Sequence, residues 1–523
     1  MLQGIVSTCC MPQLSFLASA VEPLLKIDFL AVLPHEISLK ILSSLDATSL
    51  CHAAQVSRTW KHLADDDIVW HRMCEQHIDK KCTKCGWGLP LLYKKKAIRK
   101  RQLQSEGVTA ACGIKNKDVA TTTNHPEPQS DQPNKRRRVS HDSETKATTP
   151  PPEAKRRPWK DVYSERLIVE RNWRGNKYTV RTLKGHKDGV MCVQFCESKN
   201  TLISGSYDKT VHVWNLETGE VLQVLTGHNR CVRALQFDDA KLVTGSMDNT
   251  LKIWNYHTGH CIRTLQGHTD GVISLHFDSR ILVSGSADKN VKVWNFLTGE
   301  CFTLHGHTDW VNQVKIHRQS MVVSASDDTT IRVWDLNTRS CLKVLEGHVG
   351  QVQAAIPSMH GFTHRFVSKN PKSDAKTPEE IQQEQLHGCR QDQQQRQRTS
   401  SEELQKPAQR QDESDDDQSG GNVPVIISGS LDNTLKVWSM DSGECLRTLF
   451  GHVEGVWSVA FDKRRFVSGS SDSTIRIWDA DSGQALHTLE EHSKGVTSVS
   501  LSDTKIVSAS EDGEIRIFDY GLH

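Results

Sequence analysis

A pair of markers recurs through the C-terminal two-thirds of this chain and leaves little choice of architecture. Gly-His ends at His186, His228, His268, His307, His348 and His452, with Glu-His at His492. A Trp follows each of the first six, at Trp214, Trp254, Trp294, Trp334, Trp438 and Trp478, and Phe518 takes the seventh place. These aromatic positions lie 40 residues apart, except for one interval of 104. A period of about 40 residues bearing these markers is the signature of a β-propeller with four short strands per blade. The intervening segments agree. "VISLHF", "ILVSGS" and "VKVWNF" are rich in β-branched residues and are separated by Asp-, Gly- and Thr-Gly-containing turns. Residues 177–523 therefore read as a seven-bladed propeller.

Within each unit four side chains recur, in the first as His186, Ser204, Asp208 and Trp214. They resemble the WD repeat, whose family joins these groups in a hydrogen-bond chain from Trp through Ser and His to Asp. Buried polar groups are costly unless paired, so such a chain fixes the blade's geometry. Thr244 replaces Ser in the second unit without chemical loss. Phe518 has no N–H to donate, so the seventh chain is expected to end at Ser508. On this reading the seven histidines are structural, not metal ligands. The segment Lys177–Leu183, "KYTVRTL", matches the strand before each later Gly-His and is expected to close the ring as the last blade's outer strand.

The long interval carries about 64 extra residues, 358–422, inside the fifth repeat. They are Gln-rich, end in "DESDDDQSGG" and have no period, a composition expected to form a disordered loop. The chain as a whole has 523 residues, a formal net charge of +2 and 36% hydrophobic residues; its mean hydropathy of −0.51 agrees with sizeable unpacked segments. No apolar run approaches the ~18 residues of a membrane span. Fifteen scattered cysteines fit reduced thiols better than a disulfide framework. Residues 102–158 form a basic linker in which Lys135, Arg136, Arg137 and Arg138 precede Lys155, Arg156 and Arg157 at the spacing of a bipartite nuclear-import signal. Import would place the chain in nucleus and cytoplasm; a merely solvated linker is the alternative. Residues 159–176 read as a helical strut.

Residues 1–27 form an N-terminal extension, expected to be flexible, and residues 28–75 a small helical module. Leu33, Ile37, Ile41 and Leu45 are spaced four apart on one helical stripe, which Leu42 widens. Pro34 suits a first turn. Asp46 and Ser57 are placed to cap the next two helices, and Asp65 to Asp67 to open a fourth. About 45 residues cannot build a large core alone, so a partner is implied. The stretch resembles an F-box: Leu-Pro, then Ile37, Ile41 and Leu45, then Leu50, Val56, Trp60 and Trp70. That resemblance implies docking to a Skp-type adaptor, and through it to cullin and a RING protein, by Leu33, Pro34, Ile37, Ile41, Leu42 and Leu45. An F-box-like helical module followed by an all-β propeller resembles the architecture of an SCF substrate receptor.

"CTKCGWGLPLL", "WKDVYSERLIVERNWR", "GHTDWVN" and "FGHVEGVW" resemble the fungal sulfur-controller branch of such receptors. The branch implies ubiquitination of a bZIP activator of sulfur-assimilation genes; a cell-cycle receptor and a non-degradative scaffold are the alternatives. No catalytic motif, cofactor loop or nucleic-acid recognition fold is evident. Substrate is expected on the propeller's top face, at Lys187, Tyr207, Arg230, Arg233, Trp310, Asn312, Gln353, Trp457 and Lys494. Only Arg233 occupies the "GHxxxVR" place that phosphate-reading receptors fill repeatedly, so a mixed aromatic and basic mouth reading a hydrophobic or acidic segment is expected. Residues 76–101 hold a CxxC pair, Cys82 and Cys85, after Cys74 and His77. Zinc, a redox pair and a plain helix exit capped by Gly86 all stay open for it.

Overall fold

The computed structural model describes residues 28–78, 89–90, 157–318, 320–358, 424–462, 464–480 and 482–521, with residues 10–13 and 15 near the N-terminus. Cys82, Cys85, Gly86, Lys135 to Arg138, Lys155, Arg156 and the insertion from 359 to 423 lie outside the described residues. The chain divides into two units. One takes in residues 1–76 and 93–165, the other residues 77–92 and 166–523.

In the first unit, helices α1 (Phe29–Val32), α2 (His35–Leu42), α3 (Ala47–Ala53), α4 (Arg58–Ala64) and α5 (Asp67–His77) follow one another through short turns. Pro34 stands at the N-cap of α2, with a fixed φ that suits entry to a helix. The Asp46 carboxylate accepts from Thr48 N at 3.2 Å, the Ser57 hydroxyl from Trp60 N at 3.2 Å and Asp66 from Ile68 N at 2.8 Å. Each first turn thus satisfies part of its orphan N–H set, as the capping residues foretold. Leu30, Leu39, Leu42, Leu50, Leu63, Trp70 and Met73 are buried and form the small core. Indole N–H groups tie down the edges: Trp60 donates to Asp28 at 2.7 Å and Trp70 to Ala64 O at 2.8 Å. The opening residues of α6 (Trp159–Arg174) pack in this unit, with Tyr163 tilted on Trp70 at 5.2 Å and Trp159 N donating to Asp67 at 2.6 Å.

In the second unit, twenty-eight strands form seven antiparallel four-stranded sheets. The first blade runs β2 (Val190–Cys196), β3 (Thr201–Ser206), β4 (Val211–Asn215) and β5 (Val221–Leu225). The first strands of successive blades pack on one another around the axis. The seventh sheet is completed by β1 (Thr179–Lys184), which pairs with β28 (Glu514–Asp519) from Thr179↔Asp519 to Lys184↔Glu514. The ring is thus shut by the chain's own earlier strand, and the blades keep only short outer edges. In the fifth blade Ser358 still donates to Val425 O at 2.8 Å and is buried, so the insertion begins one residue later than 358.

The four-residue chain is made in full six times. In blade 1, Trp214 Nε1 donates to Ser204 Oγ at 2.8 Å, Ser204 meets His186 Nε2 at 2.8 Å, and His186 Nδ1 meets Asp208 at 2.8 Å. In blade 7 His492 bridges Ser508 and Asp512 at 2.7 and 2.9 Å, and the chain stops at Ser508 because Phe518 offers no donor. Burial alone would raise the carboxyl pKa of these aspartates. Hydrogen bonds from His and from backbone N–H groups overcome it and hold Asp288 and Asp512 at about 2. The rest of α6 packs in this unit: Trp173 stacks on Tyr520 at 3.7 Å, and Glu170 accepts from Arg465 at 2.9 Å.

Candidate functional site

Two surfaces can act on other molecules, one in each unit. In the helical unit the α2 stripe divides. Leu39 and Leu42 turn inward, whereas Ile37 and Ile41 remain 47% and 37% exposed. Pro34 is exposed, and Leu33 and Leu45 are half-buried. Leu42, expected on the adaptor face, is instead core: three residues on from Leu39, it shares that residue's inward side. Phe29, Val32, Val56 and Ile68 are further exposed apolar side chains of the same unit. Isolated exposed apolar residues mean little. Ile37 and Ile41, four apart on α2, share one exposed apolar face that a partner could cover.

On the propeller's top face Tyr207, Lys209, Arg230, Arg233, Met247 and Trp310 line a depression of about 550 Å³. Four of the expected substrate residues are thereby brought together. Trp457 joins them, since the Arg233 guanidinium stands 5.9 Å from its ring centroid, and its indole N–H donates to Ser471. Lys187 and Lys494 are exposed on the same face. Asn312 and Gln353 are engaged otherwise. Both donate to Asp327 Oδ1, at 2.6 and 2.9 Å, and Asn312 also donates to Val352 O at 3.1 Å. Burial raises the Asp327 pKa against these donors and the Arg233 charge. The mouth is therefore bipolar, with Arg230 and Arg233 on one part and the half-buried Asp327 carboxyl on another.

Asp327, Lys209 and Met247 are not among the residues expected from the sequence, since they do not follow a Gly-His marker. A readable signal existed. The residue between Ser and Asp in each turn, such as Tyr207, Met247 or Asp327, sits at the mouth. Cys231 also lines the depression, but burial pushes its thiol up to about 12, so it is a neutral packing group there.

Among the described residues one cluster has the composition of a metal site: His186, Asp208 and His212. Its rings stack at 3.9 Å with planes 21° apart, so their in-plane lone pairs run side by side and do not converge. Both His186 nitrogens are also taken by the blade's hydrogen-bond chain. Cys74 and His77 are buried at the end of α5. Arg157, described at the edge of the basic linker, pairs with Glu165.

The F-box-like family matches residues 30–76. The WD domain, G-beta repeat, matches residues 177–215, 219–255, 259–295, 299–335, 416–439, 443–479 and 483–519. An F-box-like module and a seven-bladed WD propeller in one chain define an F-box/WD-repeat protein. A protein of Talaromyces marneffei, "Probable E3 ubiquitin ligase complex SCF subunit sconB", is 46% identical over 482 residues, 89% of this chain and 69% of that protein. Proteins of the same description from Talaromyces stipitatus and Aspergillus clavatus are each 44% identical over 89% of this chain and 68% of their own. The chain belongs to this family of sconB SCF subunits. The crystal structure of the WD40 propeller domain of Doa1 is similar over 65% of this chain and 96% of that one, at 23% identity and a TM-score of 0.49.

Proposed function

We propose that this chain is the substrate-recognition subunit of an SCF-type E3 ubiquitin ligase. Its helical module binds a Skp-type adaptor, which brings cullin and the RING protein, and its propeller mouth holds the protein to be ubiquitinated. The observation that carries the reading is the divided α2 stripe: Leu39 and Leu42 fill the module's core while Ile37 and Ile41 are left for a partner. Membership of a family of SCF subunits supports it. The chain works without its own catalytic group, by holding a substrate where the ubiquitin-charged enzyme of the complex can reach it, which raises effective concentration.

The resemblance of the connector and blade motifs to the sulfur-controller branch supports a transcription-factor substrate of the bZIP class and a role in repressing sulfur assimilation. The basic clusters around Lys135 to Arg138 and Lys155 to Arg157 support work in the nucleus as well as the cytoplasm. The test is a comparison of protein half-lives in cells expressing the wild-type chain and an Ile37→Asp/Ile41→Asp variant. A transcription factor of sulfur assimilation should be among the proteins that accumulate; accumulation of cell-cycle regulators alone would move the reading to that branch.

A further inference from the structure

The residue that follows each Gly-His or Glu-His marker serves its blade through backbone groups. In every blade its backbone N–H donates to the blade's Asp, from 2.9 Å at Asn229 to 3.3 Å at Ser493. The fold is therefore indifferent to what the side chain is. Five blades place a polar residue there: Lys187, Asn229, Thr269, Thr308 and Ser493. Blades 5 and 6 place Val349 and Val453, and these are 90% and 76% exposed. The two valines flank one turn: Val349 N donates to Asp432 at 3.0 Å, and the neighbouring Asn433 donates to Val453 O at 2.8 Å. Phe450, three residues before Val453, is 67% exposed as well. Solvent exposure of three large apolar groups serves no packing purpose at positions where the other blades fold with polar ones.

Resting on the receptor reading above, we infer that this rim is the apolar half of the substrate-binding surface. The segment it takes is an extended one that sets carboxylate side chains against Arg230 and Arg233 and apolar side chains against Val349, Phe450 and Val453. Charge on the top face favours carboxylates over phosphate. Arg233 keeps its full charge over the Trp457 ring, but Asp327 lies close enough to interact with it, so a dianion would meet more repulsion from that acid than a single carboxylate would. The valines supply affinity by burial and the arginines supply orientation.

The test uses the full chain with its adaptor and two variants, Ile37→Asp/Ile41→Asp and Val349→Ser/Phe450→Ser/Val453→Ser. Proteins that accumulate with the first variant are tiled as 20-residue synthetic peptides, unmodified and serine-phosphorylated, and their binding is measured. The inference requires that the same proteins accumulate with the rim variant. It also requires that bound unmodified tiles carry both carboxylates and apolar residues, and that the rim variant weakens them on the order of tenfold. Proteins stabilised by the helical-module variant but turned over normally by the rim variant would overturn it and leave the receptor reading standing. Binding of phosphorylated tiles alone would overturn it as well. If nothing accumulates with the helical-module variant, the receptor reading fails and the inference falls with it.

Discussion

The guanidinium of Arg233 lies over the indole of Trp457, 5.9 Å from the ring centroid, although the two residues belong to different blades and are far apart in sequence. The contact couples two sides of the mouth. Each partner holds the other in place before any substrate arrives, and a cation over an indole contributes about 0.5–2 kcal/mol depending on its exposure. Arg233→Ala and Trp457→Ala should each weaken binding of a substrate segment by about tenfold or more. The double variant should lose less than the product of the two, because the pair acts as a unit. Binding curves for the two single variants and the double variant check this; wild-type affinity in both single variants would place the substrate elsewhere.

Loss of one hydroxyl should cost more in blade 6 than in blade 7. Ser468 accepts from Trp478 Nε1 at 2.8 Å and meets His452 at 2.7 Å, whereas Ser508 has His492 alone from the corresponding set. Ser468→Ala therefore orphans two buried groups and Ser508→Ala one, at about 1–3 kcal/mol each. Urea unfolding should show Ser468→Ala to be the more destabilised by roughly 1–3 kcal/mol. Equal losses would mean that Phe518 has not shortened the seventh chain.

Thr329 sits at φ +68°, in the turn position where blades 2 and 5 carry Asn249 and Asn433 at +66°. A β-branched residue is poorly suited to the left-handed region, while Asn tolerates it. Thr329→Asn should raise stability by about 0.5–1 kcal/mol, read as a higher melting temperature with unchanged substrate binding.

Asp503 has a buried carboxylate oxygen without a hydrogen-bond partner. Burial first, then the nearby charges of Asp462 and Glu197, push its pKa up to about 7 against the pull of Arg464 and Arg465. An acid whose folded pKa is raised costs stability as it ionises, so the cost grows as pH rises from its unfolded value near 4 to about 7. Asp503→Asn should accordingly stabilise the propeller little at pH 5 and clearly at pH 8. Melting temperatures across that range check the sign, and a gain that shrinks with pH would contradict it.

The propeller was legible because its repeat is written in residues that must meet: His, Ser, Asp and Trp at set places have one economical arrangement. Closure by β1 was legible for the same reason, since "KYTVRTL" duplicates the outer strand of the other blades. The division of α2 was not. Leu42 reads as part of the Ile37 and Ile41 stripe, and nothing local says that it turns with Leu39 toward the core instead. The hydrogen bonds of Asn312 and Gln353 to Asp327 were not legible, because they depend on a strand bulge within one blade and on the placing of the next blade beside it. The rim valines carry no signal within a single blade; their meaning lies in the contrast with the polar residues of the other five.

The most direct measurement is recovery of adaptor and cullin with the full chain, together with the half-life of the protein held by the propeller, for wild type, Ile37→Asp/Ile41→Asp and Leu42→Ala. Truncating the buried Leu42 should lower the module's stability by about 2–5 kcal/mol, and its effect on recovery should follow from unfolding. The two exposed substitutions should leave the melting temperature nearly unchanged and still abolish recovery of the adaptor, while the propeller-bound protein stays bound and lives longer. Adaptor recovered at wild-type levels with the Ile37→Asp/Ile41→Asp chain, or a bound protein whose half-life ignores the loss of the adaptor, would contradict the account.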